Sequence, residues 1–234
     1  MQAGIWQEQE WESVFFGFRV ARIFPPFTFQ QATDALLSLT AADFSFLYGF
    51  VDPASPEQHI LEQLGGKVIA TRATYSMPVS DIQTPSVARI ATQNDLPELE
   101  ILALQSGLYS RYRKDVMFPE MMYEKMYRTW VRNTLEKTFG DEVLVIEEDG
   151  TLAGMVTMSK SGQLATVGLF VVLNIFRRQG IGKGLLDAAM EWSRQQGCKE
   201  LRVITQLENR PACRFYSGRG FELLQVENAV HLWL

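Results

Sequence analysis

Eight residues constrain this chain more than any others: Arg177-Arg178-Gln179-Gly180-Ile181-Gly182-Lys183-Gly184. They follow a strand-like apolar run, Val167 to Leu173, and lead into a helical pattern of Leu185, Leu186, Ala189, Met190 and Trp192. Gly197 stands where a C-terminal cap is expected. With glycine at 180 and 182, no side chain covers the first helical turn. Its unpaired N–H groups, at the positive end of the helix dipole, then face outward toward an anion. The stretch reads as a phosphate cradle. A P-loop is excluded because Lys183 is followed by Gly184 rather than serine or threonine. A dinucleotide fingerprint is excluded because position 185 is leucine and little chain remains for a doubly wound sheet.

Arg177, Gly180 and Gly182 in the spacing Arg-x-x-Gly-x-Gly resemble the pyrophosphate-binding signature of the GNAT superfamily of acetyl-CoA-dependent N-acetyltransferases. Further on, Asn209-x-x-Ala212-x-x-Phe215-Tyr216 and then Gly220-Phe221 are similar to the second motif of the same superfamily, in the same order. The resemblance implies an α/β (α+β) GNAT fold, a central mixed twisted sheet flanked by helices. It implies acetyl-CoA as co-substrate, with Arg177, Arg178, Gln179, Gly180, Ile181, Gly182 and Lys183 at its pyrophosphate. Phe170, Val171 and Val172 would pair with the pantetheine arm where two parallel strands, around 169–172 and 201–205, splay apart. The Val171 N–H would donate to the thioester oxygen. Asn209 would orient that arm or cap its helix, and Tyr216 falls at the general-acid position.

Composition narrows the partners. A net charge of −5 argues against a nucleic-acid surface. Two cysteines, Cys198 and Cys213, make no disulfide framework, and two histidines, His59 and His231, make a zinc site an unfavoured expectation. The N-terminal residues carry Glu8, Glu10 and Glu12 without an apolar h-region, and Val167 to Leu173 falls far short of the roughly 20 residues that span a bilayer. A reduced, cytoplasmic protein without metal or membrane partner is expected.

In chain order, residues 1–77 read as a small N-terminal α/β module. Trp11 to Phe18 is aromatic and strand-like, Phe18 to Ile23 alternates as a half-buried strand, and Pro25-Pro26 breaks the pattern. Helices are expected over about 31–39 and after Pro56, stopping at Gly65-Gly66, and a strand from Lys67 to Met77. Residues 78–86, with Pro78 and Pro85, read as a linker, and 87–234 as the GNAT domain. That domain opens with a strand, Val87 to Ala91, and a capped helix start at Thr92-Gln93-Asn94-Asp95-Leu96-Pro97-Glu98. The basic patch Ser110 to Asp115 is either a solvated loop or a substrate loop meeting phosphates or a carboxylate. A helix over Pro119–Lys137, a hairpin across Glu148-Asp149-Gly150, and strands at 164–172, 201–205, 221–226 and 229–234 follow.

By the resemblance, the reaction is direct acyl transfer to a neutral amine. A thiol has a pKa of roughly 8.5 and a phenol about 10, so Tyr216 stays protonated and can donate to the departing thiolate. Thr166 to Val172 contains no acid, so the base is sought in ordered water or in Asp115 or Glu120, with His231 a poor candidate. Trp11-Glu12-x-x-Phe15-Phe16-Gly17 and Leu201-Arg202-Val203-x-Thr205-Gln206-x-x-Asn209 resemble the branch of the superfamily that acetylates the 4-amino group of a dTDP-linked amino-deoxy sugar in surface-polysaccharide synthesis. A small-molecule amine of that kind is the expected acceptor. A peptide N-terminus, or a non-catalytic acetyl-CoA-binding module, are the alternatives, and the resemblance allows a homodimer.

Overall fold

The computed structural model describes residues 4–79 and 86–234; residues 80–85, most of the expected linker at 78–86, lie outside the described residues. The elements run β1 (Trp6–Glu8), α1 (Glu10–Phe16), β2 (Arg19–Ile23), α2 (Phe29–Ala41), β3 (Phe44–Val51), α3 (Pro56–Gln63) and β4 (Lys67–Pro78). There follow β5 (Arg89–Ile90), α4 (Leu96–Ser106), α5 (Arg111–Lys114), α6 (Glu120–Leu135), β6 (Glu142–Glu148) and β7 (Thr151–Ser161). The chain ends with β8 (Leu164–Val172), α7 (Ile181–Gln195), β9 (Glu200–Gln206), α8 (Arg210–Ser217) and β10 (Glu222–Trp233). Two compact units result: Met1–Ala73 with Gln206–Glu208 and Gln225–Leu234, and Thr74–Thr205 with Asn209–Leu224. The units thus do not follow chain order, and the last strand supplies residues to both.

In the first unit β2 and β3 are parallel, joined through α2, while β10 pairs antiparallel with β3 from Val51↔Asn228 to Phe46↔Trp233. One sheet face gathers Ile23, Leu47, Val51, Val230 and Leu232 against Leu39 and Leu61 of the two helices. Thr28 and Gln31 form a reciprocal capping box at α2, and Gln58 N–H donates to Ser55 Oγ ahead of α3. The aromatic stretch expected as a strand is the helix α1. Trp11 and Phe15, one turn apart, stack with ring centroids 5.0 Å apart, Phe16 is buried, and Gly17 at φ 76 ends the helix.

In the second unit the strands lie in the order β4, β9, β8, β7, β6, β5, with β8 and β9 parallel and the β6–β7–β8 run antiparallel. Every residue of β7 from Leu152 to Met158 is buried, so both faces of the sheet are covered there; α4 and α7 both pack on β7 and β8. The hairpin falls where expected, with Asp149 at φ 51 and Gly150 at φ 73. The expected pair of C-terminal strands is one continuous strand, β10, and the expected Val87–Ala91 strand is confined to Arg89–Ile90.

Asp95 fixes the entry to α4. Its Oδ2 accepts from the Thr92 N–H at 2.6 Å, and its two oxygens take both Arg89 NH groups at 2.8 and 2.9 Å. The Arg89 bonds, helped by Thr92, hold its pKa down at about 2 against the opposing effect of burial. A depressed carboxylate contributes stability above its ordinary pKa and loses it as pH falls through the folded value. Asp95→Asn should therefore cost about 1 kcal/mol at pH 7, discounted for the half-exposed arginine. Thermal unfolding should show that deficit shrinking between pH 4 and pH 2; a constant deficit would mean the charge is not what stabilises.

Candidate functional site

The site begins with an irregularity in β8. Its register with β7 changes between Val156↔Phe170 and Met158↔Val167, so Gly168 and Leu169 together stand opposite Thr157 alone. The Leu169 N–H donates to Thr157 Oγ1 at 2.7 Å in place of a ladder carbonyl. A Cβ on Gly168 would lie 2.7 Å from that same oxygen, so the position has no room for a side chain. The bulge bends the strand. β8 pairs with β9 from Leu164↔Glu200 to Val167↔Val203, and residues 168–172 run on past that ladder. This is the splay that the sequence reading expected.

Ladder alternation decides which amides face it. The Leu173 N–H donates to Ala153 O at 2.9 Å, and bonded positions recur every second residue in an antiparallel pair. With Met155↔Val171 in register, the Val171 N–H belongs to the β7 ladder. The N–H groups of Phe170 and Val172 point to the opposite side, and the Val172 carbonyl accepts from Arg177 Nε at 3.2 Å. The Val171 N–H, the expected donor, thus faces β7, and the N–H groups of its two neighbours face away from it.

The glycine turn follows directly. Arg178 at φ 64 and Gly180 at φ 91 both take left-handed conformations, which glycine adopts without a Cβ clash. Gly180 is the N-cap of α7 and offers no side-chain cap; the first intrahelical bond runs from Gly184 N–H to Gly180 O at 3.0 Å. The N–H groups of Ile181, Gly182 and Lys183 therefore end the helix unpaired within it, the arrangement that binds phosphate. Gln179 is tied back to Ile175 O at 2.9 Å, and Lys183 Nζ pairs with Asp187 at 2.5 Å along the helix.

Three elements converge on Gly182. A Cβ there would sit 3.5 Å from the Phe215 ring and 3.7 Å from Val172 Cγ2, bringing the first turn of α7, the end of β8 and α8 together. α8 starts at Asn209, whose Oδ1 accepts from the Ala212 N–H at 3.3 Å, so of its two expected roles the cap is seen directly. Tyr216 is 3% exposed, with ring centroids of Phe170 and Tyr75 each at 6.0 Å, Phe221 at 5.8 Å and Phe215 at 5.4 Å. Burial first, and then the neighbouring Cys213, push its phenol well above the ordinary range, so it is protonated at neutral pH.

The basic patch is not a solvated loop. It forms α5, in which Arg111 and Tyr112 are buried, and Asp115 after it is buried with its Oδ1 accepting from the Met117 N–H. Glu120 is exposed and lies 3.8 Å from Arg113. His231 is buried in the first unit, edge-on to Phe46 at 4.8 Å. Among the described residues no group of three or more His, Cys, Asp or Glu side chains is placed to hold a metal, and no helix is long and apolar enough to cross a membrane. Tyr75, which brings β4 against Tyr216, carries no local sequence motif and was missed by sequence reasoning.

Comparison with known proteins agrees with this geometry. The model of the acetyltransferase (GNAT) family matches residues 103–221, half of the chain and both glycine-containing motifs. The chain belongs to the GNAT family. It is an N-acetyltransferase of a family that uses acetyl-CoA as co-substrate. It is 26% identical to the dTDP-fucosamine acetyltransferase of Escherichia coli O6:H1 over 227 residues, 96% of this chain and 94% of the relative. The aminoglycoside N(6′)-acetyltransferase type 1 of Klebsiella aerogenes is 32% identical, but over 36% of this chain and 61% of its own. A GCN5-related N-acetyltransferase from Sphaerobacter thermophilus shares the fold, with a TM-score of 0.62, 15% identity, and coverage of 92% of this chain and 72% of that one.

Gly180→Ala tests the cradle. Alanine forced into a left-handed conformation costs about 1–2 kcal/mol and tilts the first-turn amides. Calorimetric titration should show acetyl-CoA binding weakened by about tenfold or more. A lowered melting temperature with unchanged affinity would assign Gly180 to folding alone.

Proposed function

We propose that this GNAT enzyme transfers acetyl from acetyl-CoA directly to the 4-amino group of a dTDP-linked amino-deoxy sugar, in surface-polysaccharide synthesis. The observation that carries the acceptor is the extent of the likeness to dTDP-fucosamine acetyltransferase. It runs over 96% of this chain and so includes the N-terminal residues, which lie outside the family match at 103–221. Likeness confined to coenzyme motifs would speak for the reaction and leave the acceptor open. The proposed location is the cytoplasm, where acetyl-CoA and nucleotide sugars are made.

The chemistry follows from the residues around Gly182. The first-turn amides of α7, with Arg177, Arg178, Gln179, Gly180, Ile181, Gly182 and Lys183, hold the pyrophosphate, and Asn209 fixes the start of α8. The outward N–H groups of Phe170 and Val172 stabilise the oxygen on which charge builds as the amine attacks. A fixed donor of this kind contributes about 3 kcal/mol to the transition state. The C–N bond forms, the C–S bond breaks, and Tyr216 donates its proton to the departing thiolate. The attacking nitrogen gives up its proton to solvent, since β8 offers no carboxylate.

Thiol release from acetyl-CoA, measured against a panel of dTDP-amino sugars and short peptides, tests the reading. Turnover is expected on the 4-amino sugar, with kcat of Tyr216→Phe down by about 10²- to 10⁴-fold. Peptide turnover with silent sugars would transfer the acceptor to a protein N-terminus; binding of acetyl-CoA without any turnover would favour a sensor. The pH profile adds a second check. A phenol held above its ordinary pKa of about 10 keeps its proton through the assay range. The rate should rise as the amine deprotonates and show no fall from loss of the Tyr216 proton below about pH 10.

A further inference from the structure

β7 is buried on both faces from Leu152 to Met158, and Thr157 carries the one hydroxyl in that run. Valine has the same shape and suits a buried strand, so a threonine there needs a partner for its oxygen. It has one. The Leu169 N–H donates to Thr157 Oγ1 at 2.7 Å, and Thr157 itself is 5% exposed. The extra residue of β8 requires that bond, because a bulge leaves an amide without its ladder carbonyl. The same residue changes which amides face β7. In an antiparallel pair they recur at every second position. Before the bulge Thr166 stands opposite Ser159 and Val167 opposite Met158; after it Phe170 stands opposite Val156 and Val171 opposite Met155. A regular ladder carried on from Val167 and Met158 would set Phe170 against Met155 and Val171 against Gly154. The Leu173 N–H bonds to Ala153 O, so the bonded places on β7 are Ala153 and Met155. Without the bulge, therefore, the Phe170 and Val172 amides would turn into β7 and the Val171 amide would turn outward.

We propose that Thr157 is a positioning residue for acetyl transfer: its hydroxyl holds the Leu169 amide, keeps the bulge, and so decides which amides of β8 face away from β7. The inference rests on the reading that the Phe170 and Val172 amides meet the thioester oxygen. Gly168 is the other half of the arrangement. A Cβ there would lie 2.7 Å from Thr157 Oγ1, while the next nearest atoms, also of Thr157, are at 3.9 and 4.0 Å. A methyl group at 168 and the hydroxyl at 157 thus exclude each other. Thr157 does no chemistry itself and lies outside both glycine-containing motifs. Its effect on the reaction passes through the backbone of the neighbouring strand.

Three variants of the whole chain test this. Thr157→Val keeps the shape and removes the hydroxyl, Thr157→Ser keeps the hydroxyl, and Gly168→Ala crowds its oxygen. Each is followed by steady-state kinetics, with the acceptor found active above, and by amide hydrogen exchange read by NMR without ligand. In the wild type the Val171 amide should exchange more slowly than those of Phe170 and Val172. Thr157→Val should reverse that order and lower kcat about 100-fold, as loss of one fixed donor does. Gly168→Ala should do the same, and supplies the test should Thr157→Val not fold. Thr157→Ser should stay close to wild type in both measurements. An unchanged exchange order in Thr157→Val and Gly168→Ala would overturn the proposal, and any fall in kcat would then belong to packing. A reversed order with full kcat would instead sink the reading that the Phe170 and Val172 amides serve the reaction, and the positioning role falls with it. Thermal melts of each variant separate these results from unfolding.

Discussion

Two residues of β8 opposite one of β7 is a small departure from a regular ladder, yet the arrangement of the site depends on it. Had Gly168 and Leu169 been a single residue, β8 would have continued beside β9, its outward amides bonded to that strand and closed to any ligand. Thr157 makes the irregularity tolerable, because its hydroxyl accepts the Leu169 N–H that the ladder no longer satisfies. A buried amide without such a partner would cost about 1–3 kcal/mol. Glycine at 168 is the steric complement, since any larger residue would collide with the oxygen that makes the repair. The opened strand therefore rests on a pair, a hydroxyl and a missing side chain, on neighbouring strands.

The same economy governs Tyr216. Burial among Phe170, Phe215, Phe221 and Tyr75 keeps its proton in place, so the donor role proposed for it starts from the protonated form. It also makes a free phenolate costly. A more exposed tyrosine would titrate more easily but would be less well fixed in direction. The observed placement favours direction.

Much of this was legible in the sequence because the deciding signals are local. The Arg-x-x-Gly-x-Gly turn, the Asp149-Gly150 hairpin, the Asn209 cap and the Thr92–Asp95 helix entry each lie within a few residues and have direct steric or hydrogen-bonding causes. What failed was non-local or ambiguous. Trp11, Phe15 and Phe16 suit a strand by composition; their four-residue spacing, which brings Trp11 onto Phe15, was the better guide. The direction of the Val171 amide was not legible, because strand parity past a bulge depends on register with a second strand. The charges of Ser110 to Asp115 left a solvated loop and a substrate loop both open, and only the packing of α5 shows Arg111 and Asp115 buried. Tyr75 packs on Tyr216 across a long sequence separation and leaves no trace in any short window.

Gly154 and Gly184 lie where α7 approaches the sheet. A Cβ on Gly154 would meet Leu185 Cδ1 of α7 at 3.0 Å, and one on Gly184 would meet Ile146 Cδ1 of β6 at 2.8 Å. On the strand side Gly154 thus makes room for Leu185, and on the helix side Gly184 makes room for Ile146. A side chain at either position would crowd the first turns of α7. The elevation of the anion-facing turn is therefore written in two glycines of the packed layer as well as in the turn itself.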